Sequence, residues 1–182
     1  MAGPLSGIKV IEVGQALAGP LSGAILADMG ADVIKVEKPD GGDDARMWGP
    51  PFVDESSMMF HATNRNKRSV TLDLKSDDGR ATLARLVTHA DVLIENFRPG
   101  VLDRLGFTIE HLHELNPGLI LLSISGFGHD GPQGGRAGYD QIARGEGGLM
   151  SLTGADPEHP QRVGVPIGDL LAGLYGAYGV VA

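Results

Sequence analysis

Residues 8–37 read IKVIEVGQALAGPLSGAILADMGADVIKVE and contain one complete strand–helix–strand unit. The β-branched runs at 8–13 and 32–37 are typical of buried strands. Between them, Pro20 suits the first turn of a helix and Gly30 suits the position just past its end. Because two strands joined by a helical crossover run parallel, this unit predicts a parallel sheet.

The same alternation of strands and helices continues along the chain. The patterns predict further strands at 69–74, 91–95 and 119–125, and helices at 76–90, 109–115, 139–150 and from Asp169 onward. Residues 38–58 have the composition of a long surface loop, which in compact domains is usually functional or mobile. We therefore expect an α/β fold with a mostly parallel sheet flanked by helices.

Composition places the chain among globular enzymes. Its 182 residues suffice for one core, with 42% hydrophobic and 21% charged residues. The net charge of −8 argues against a nucleic-acid or anionic-membrane binder. There is no cysteine, no secretory leader and no apolar run of the about 18–20 residues that a membrane span needs. We expect a cytoplasmic protein.

Three segments suggest ligand binding, each with a simpler structural alternative. Residues 14–19, GQALAG, lack the G-x-G-x-x-G fingerprint, so a dinucleotide site with Glu37 on the ribose is disfavoured against a plain turn. The basic segment 64–68, NRNKR, suits phosphates but also a solvated turn. Residues 95–105, ENFRPGVLDRL, follow a strand, and Phe97 either stacks on an adenine or packs in the core.

Asp169 follows Gly168 and opens the terminal apolar helix. An Asp in this place usually caps the helix, and the same donors and helix dipole would keep a nucleophilic carboxylate ionised. The six histidines show no zinc-ligand spacing, so we expect no metal site. Ser123 and Ser125 lie outside any G-x-S-x-G elbow.

Taken in order, the motifs of the whole chain resemble class III CoA-transferases, the family of formyl-CoA and carnitine CoA-transferases. The segments that carry the resemblance are PLSGIKVIEVGQALAGP, LADMGADVIKVEKPDGGD, NRNKRSVTLDLK, ADVLIENFRPGVLDRLGF, NPGLILLSISGFGHDGP, AGYDQIARGEGGLMSLTG and VGVPIGDLLAGLYGA. The resemblance implies a Rossmann-like large domain, a smaller second domain and a homodimer whose two chains interlink as rings.

The resemblance also implies an activity and a set of site residues. The activity is transfer of coenzyme A from an acyl-CoA to a small carboxylic acid through covalent aspartyl intermediates, without metal or redox cofactor. Asp169 matches the family's catalytic aspartate. The residues that match its CoA-contacting positions are Lys38, Lys67, Arg68, Asn96, Phe97, Arg98 and Arg104.

Two alternatives stay open. The related methylacyl-CoA racemases move a proton with a His in a Gly-His-Asp sequence, but residues 138–140 here read GYD and His129 lies ten residues earlier than Tyr139. A non-catalytic CoA-binding fragment is the other. The apolar helix at 169–182 ends without a polar cap. We therefore expect residues 1–182 to be the amino-terminal part of the large CoA-binding domain, lacking the small domain and the carboxy-terminal return, and to be inactive alone.

Overall fold

A computed structural model describes residues 3–182 of the chain. In chain order its elements are β1 (Lys9–Glu12), α1 (Ala18–Asp28), β2 (Asp32–Glu37), β3 (Phe52–Val53), β4 (Ser56–Ser57), α2 (Met58–Asn64), β5 (Arg68–Thr71), α3 (Asp77–Val87), β6 (Val92–Glu95), α4 (Val101–Arg104), α5 (Ile109–Leu115), β7 (Ile120–Ser123), α6 (Asp140–Glu146), α7 (Leu149–Thr153) and α8 (Ile167–Val181).

Five strands form one parallel sheet in the order β5-β2-β1-β6-β7. The chain builds outward from β1 through β2 to β5, then crosses to the other side of β1 and continues through β6 to β7. Ile11 of β1 consequently lies between Ile34 of β2 and Leu93 of β6. The predicted α/β fold is confirmed, and the reversal of strand order falls between β1 and β6.

Both faces of the sheet are covered, because apolar side chains alternate along each central strand. On one face, Ile11 and Leu93 pack with Leu83 of α3 and Leu112 of α5. On the other face, the core contains buried residues of β1, β2, β6, α1 and α8, which are Val10, Val33, Val92, Ile94, Leu26, Ala27 and Ala177. The helices are therefore held by one continuous apolar layer on each side.

The predicted loop 38–58 and the predicted helix 139–150 both differ from expectation in detail. The loop contains a 3₁₀ turn at Asp44–Met47 and the β3–β4 hairpin. The single helix is divided into α6 and α7, because Gly148 adopts a φ of 78° that stops the first helix. The loop thus has more regular structure, and the helical segment less, than the sequence predicts.

Helix α8 packs against α1 through small residues. A Cβ at Gly173 would lie 2.8 Å from the carbonyl oxygen of Ala18, and Ser22 Oγ donates to the Gly173 carbonyl at 2.8 Å. The opposite side of α8 exposes five apolar side chains, which we name the α8 face: Leu171, Leu174, Tyr175, Tyr178 and Val181. Across residues 3–182 we find no helix with the length and apolarity required to span a membrane.

Candidate active site

A crevice lies at the carboxyl end of the sheet, where the strand order reverses. Open parallel sheets bind ligands at this point, because the loops after neighbouring strands diverge there. The cleft has a volume of about 220 Å³. Its walls are the turn after β1, the turn after β6, the segment after β7 and the start of α8, contributed by residues 16–18, 96–99, 124–126, 136–140 and 168–169 among others.

Asp169 lies in this cleft, in the first turn of α8. The helix begins at Ile167, two residues earlier than predicted, and Asp169 makes no capping bond. The cap comes instead from Asp140 of α6, whose Oδ1 accepts hydrogen bonds from the backbone N–H of Gly168 at 2.7 Å and of Asp169 at 3.4 Å. The interpretation of Asp169 as the N-cap is therefore wrong, and its carboxylate is available for another role.

The electrostatic setting of Asp169 also differs from the prediction that helix donors hold it firmly ionised. Burial and the neighbouring charge of Asp140 together raise the pKa of Asp169 to about 6, although Arg144 opposes the shift. Partial desolvation is the larger of the two causes that raise it. At neutral pH the group is still mostly a carboxylate, and its raised basicity makes it a better nucleophile than an ordinary Asp.

The turn after β6 brings three of the predicted CoA contacts to the same cleft: Asn96, Phe97 and Arg98. Phe97 packs partly against the core, and Arg98 is exposed. Asn96 is already engaged with the protein, since its amide accepts from the N–H of Gln15 at 2.7 Å and donates to the carbonyl of Gln15 at 2.8 Å. Two readings of Phe97, core packing and ligand stacking, are therefore compatible in this structure.

The other predicted contacts lie outside the cleft. Arg104 on α4 is exposed and folds toward Gly100. Lys38 follows β2 on the same edge of the sheet and pairs with Asp44 at 2.5 Å. Arg68 begins β5 at the opposite edge and pairs with Asp32 at 2.6 Å.

The side chain of Lys67 is buried in a cluster of charges around Glu12, the last residue of β1. Its ammonium donates to Glu12 at 2.7 Å, the Pro20 carbonyl at 2.7 Å and Asn64 at 3.0 Å. Burial lowers the pKa of Lys67 to about 8, although Glu12 opposes this shift. Three donors satisfied by the protein leave this ammonium none for a phosphate, so its contribution here is to hold elements together.

A second cavity, of about 270 Å³, meets the first at Asp169. The residues common to both are Ala16, Tyr139, Asp140 and Asp169. The second cavity is otherwise lined by Trp48, Gln141, Arg144 and residues 162–166. Buried Arg144 pairs with Asp140 and donates to the carbonyls of Val163 at 2.7 Å and Val165 at 3.1 Å, so it anchors this loop.

Sequence reasoning missed Trp48, Arg144 and Arg162. One signal for Trp48 existed, since it lies in the long loop flagged as functional. Arg162 stands in a Pro-containing loop shortly before Asp169, but loop composition alone does not show which cavity a side chain lines. Within residues 3–182, neither Arg98 nor Arg162 forms an ion pair with an acidic side chain.

Neither cavity contains the histidine that a proton-transfer mechanism would use. Tyr139 occupies the place of that histidine, and the following Asp140 is the helix cap. His129 lies outside both cavities and contacts Ser123 at 2.6 Å, which in turn donates to buried Glu95. In the described residues we also find no group of three or more potential metal ligands.

The fold is α/β with a cleft where the strand order reverses, and comparison with known proteins identifies the family. The family model for CoA-transferase family III matches residues 5–182, and the chain belongs to that family. It is 51% identical to the succinate–glutarate CoA-transferase of Agrobacterium fabrum, with 98% of this chain and 46% of that protein aligned. It is 44% identical to the succinyl-CoA:glutarate CoA-transferase of Homo sapiens, over 98% of this chain and 40% of that protein.

A solved structure shows the same architecture. A CAIB/BAIF family protein from Brucella suis superposes with a TM-score of 0.94 at 50% identity, over 100% of this chain and 49% of that chain. The chain thus spans about half the length of the relatives it matches.

Proposed function

We propose that the protein carrying this chain transfers coenzyme A from an acyl-CoA to a carboxylic acid, with Asp169 as the nucleophile. The observation that supports this most is the position of Asp169, whose half-buried carboxylate lies where two cavities meet. A transferase must present one nucleophile to two substrates in turn, and this arrangement provides that access. The CoA-transferase names of the relatives agree with the assignment.

The reaction balances with protein and substrates alone. A carboxylate oxygen of Asp169 attacks the thioester carbonyl and the C–S bond breaks. CoA departs as the thiolate, and a mixed anhydride between Asp169 and the donor acyl group is formed. The thiolate then attacks the aspartyl carbonyl, which releases the donor acid and forms an aspartyl-CoA thioester. The acceptor carboxylate attacks this thioester, and the released thiolate attacks the acceptor's carbonyl in the second anhydride, which regenerates Asp169. Covalent catalysis divides one slow acyl transfer into faster steps.

We assign the first cleft to the CoA thioester. Arg98 is exposed at its wall without an acidic partner in the described residues, so its guanidinium is free to hold a phosphate. Phe97 offers an aromatic surface beside it. Arg104 and Lys38 belong to this proposal as outer contacts on the same edge of the sheet. Arg68, at the opposite edge, and Lys67, already bonded, do not.

We assign the second cavity to the carboxylic acid. Its wall carries two cations, Arg144 and Arg162, and two anions, Asp140 and Asp169. When Asp169 becomes a thioester it loses its charge, so the cavity then has an excess of one positive charge. That excess favours entry of an anionic acceptor at the stage when the acceptor must react. Succinate and glutarate, named for the relatives, have a second carboxylate that Arg162 can pair with.

The same proposal covers the assembly and the setting of the protein. Residues 1–182 form the amino-terminal part of a large CoA-binding domain, and the complete protein is a cytoplasmic homodimer. The exposed α8 face supports this assembly, because a contiguous apolar surface of this kind marks a site where another protein surface packs.

The experiment that tests the proposal uses Asp169→Asn and Asp169→Ala in the protein at its full natural length. We expect both variants to lose CoA transfer while CoA affinity stays within about threefold, because the carboxylate makes the covalent bond and CoA is held elsewhere. Mass spectrometry of the unaltered protein incubated with acyl-CoA should find CoA attached to the peptide that contains Asp169. Asp156→Asn, in an exposed loop outside both cavities, serves as the control. Turnover by the Asn variant, with deamidation excluded, would refute the assignment.

A further inference from the structure

The turn after β1 is held by side chains from three other elements. Lys35 of β2 donates to the carbonyl of Gly14 at 2.8 Å, and Asn96 binds both the N–H and the carbonyl of Gln15. Asp43 accepts from the N–H of Ala16, with its two oxygens at 3.0 and 3.2 Å. Three consecutive residues of one turn thus have a main-chain group bound by a side chain distant in sequence.

Ala16 needs such support because its backbone is strained. Its φ is 65°, in the left-handed region that costs a residue with a Cβ about 1–2 kcal/mol. Strain of this kind persists only where surrounding structure enforces it, and it is concentrated at functional sites. Ala16 lines both cavities beside Asp169. The strained residue therefore borders both proposed substrate sites, as Asp169 does.

Asp43 is itself rigidly placed. Its side chain is fully buried, accepts from the N–H of Ala45 at 2.9 Å and pairs with Lys35 at 2.9 Å. Its own N–H donates to Glu37 at 2.9 Å. Lys35 pairs also with buried Glu12 at 2.9 Å. Lys67 adds a fourth buried charge to this cluster. Such a cluster contributes little net stability compared with an apolar core, so we attribute to it the fixed placement of the groups it bonds.

We propose that Asp43 is a positioning residue for CoA transfer, which acts by holding the strained Ala16 backbone against the site of Asp169. The inference rests on the proposed function. Loss of the Asp43 acceptor would release Ala16 to a relaxed conformation and widen the gap between the turn and Asp169. A displacement of about 1 Å at a reacting centre can lower the rate a hundredfold. CoA binding should change little, because Phe97 and Arg98, the proposed CoA contacts, make no hydrogen bond to Ala16 or Asp43.

The experiment compares Asp43→Ala, Asp43→Asn and Leu83→Ala in the protein at its full natural length. Leu83 is fully buried on α3 and makes none of the hydrogen bonds that hold the turn, so its truncation lowers stability while those bonds remain. Four quantities are measured: kcat for transfer, KM for the acyl-CoA, the denaturant midpoint, and deuterium exchange of the peptide containing Ala16. All assays are run well below the unfolding transition of each variant.

We expect Asp43→Ala to lower kcat by about tenfold to a hundredfold, to leave KM within about threefold, and to accelerate exchange at Ala16. Leu83→Ala should lower the denaturant midpoint yet keep kcat. In Asp43→Asn one oxygen can still accept from the N–H of Ala16. We expect its kcat to be retained if Ala16 stays protected from deuterium exchange, and to be reduced if that protection is lost. This variant also decides the matter if Asp43→Ala does not fold.

Two results would overturn the inference: a normal kcat in a variant whose Ala16 exchanges rapidly, or a reduced kcat in an Asp43 variant whose Ala16 remains protected. The proposed function fails differently, through absence of CoA transfer by the unaltered protein. In that case the exchange data still report whether Asp43 holds Ala16, so the two failures are distinguishable.

Discussion

The carboxyl group of Asp169 has its pKa raised to about 6 by burial and by Asp140. Since the proposed nucleophile must be ionised, we expect the rate of the first half-reaction to fall about tenfold per pH unit below 6. Asp140→Asn removes a neighbouring negative charge, which should lower the pKa of Asp169 and move this midpoint to lower pH. The pH profile of single-turnover anhydride or thioester formation measures both effects. Glu110→Gln, exposed on α5 and outside both cavities, should leave the midpoint unchanged.

A profile whose midpoint stays in place when Asp140 is neutralised would show that another group controls the rate. Two changes in Asp140→Asn both lower the pKa of Asp169. The variant loses the charge that repels Asp169, and Arg144, freed from Asp140, becomes a stronger positive neighbour.

Arg162 is expected to set the preference for dicarboxylic acceptors. Arg162→Ala should lower kcat/KM for succinate or glutarate by about tenfold or more, because a charge-assisted hydrogen bond is lost. Transfer to butyrate, which has no second carboxylate, should stay within about twofold. Steady-state rates with matched acceptors measure the ratio, and Arg85→Ala on the outer side of α3 is the control. An equal loss for both acceptor classes would remove Arg162 from acceptor recognition.

Helix α8 depends for its start on an acid from another helix. Asp140 caps it and also neutralises buried Arg144, so Asp140→Ala removes a cap of about 1 kcal/mol and leaves a buried charge unpaired. We expect a loss of about 3 kcal/mol or more in the free energy of unfolding. Asp140→Asn keeps the acceptor for Gly168 and should lose less. Urea denaturation measures the difference, with Glu146→Ala as a control expected to change stability by less than about 0.5 kcal/mol.

Equal stability of the Ala and Asn variants would mean that the cap contributes nothing. The comparison is informative because α8 carries the candidate nucleophile in its first turn. A loosened start of α8 would therefore affect the active site as well as the fold.

At the scale of the whole molecule, the α8 face decides how residues 1–182 behave alone. Five apolar side chains on adjacent turns remain exposed, and an apolar patch of this kind drives association. We expect the 182-residue polypeptide to associate and to show no CoA transfer. The double variant Leu174→Lys with Tyr178→Lys should shift it toward monomer. Light scattering at several protein concentrations measures this.

Leu152→Lys provides the matched control, because Leu152 is 82% exposed on α7 but does not belong to the α8 face. If this single change abolished association as completely as the double variant, the α8 face would not be the surface through which the chains associate. A monomeric 182-residue chain that transfers CoA at an ordinary rate would contradict the expectation entirely.

The sequence by itself determined the five strands of the parallel sheet, the helices other than α2 and α4, and the candidate nucleophile. The β-branched runs, Gly30 after α1 and the single crossover at 8–37 are local signals, and local patterns are reliable where the strands they predict are buried and continuous. Motif order pointed to the family and to Asp169. These are properties that neighbouring residues encode together.

Only the tertiary structure decided which distant groups act on those elements. Asp140 caps a helix that starts 27 residues later. The ammonium of Lys67 pairs with Glu12, and the carboxylate of Asp43 accepts a hydrogen bond from the N–H of Ala16. The pKa of Asp169 likewise depends on burial by segments remote in sequence. Desolvation and charge pairing act through space, so they depend on which distant segments the fold brings together. Local sequence patterns do not encode them.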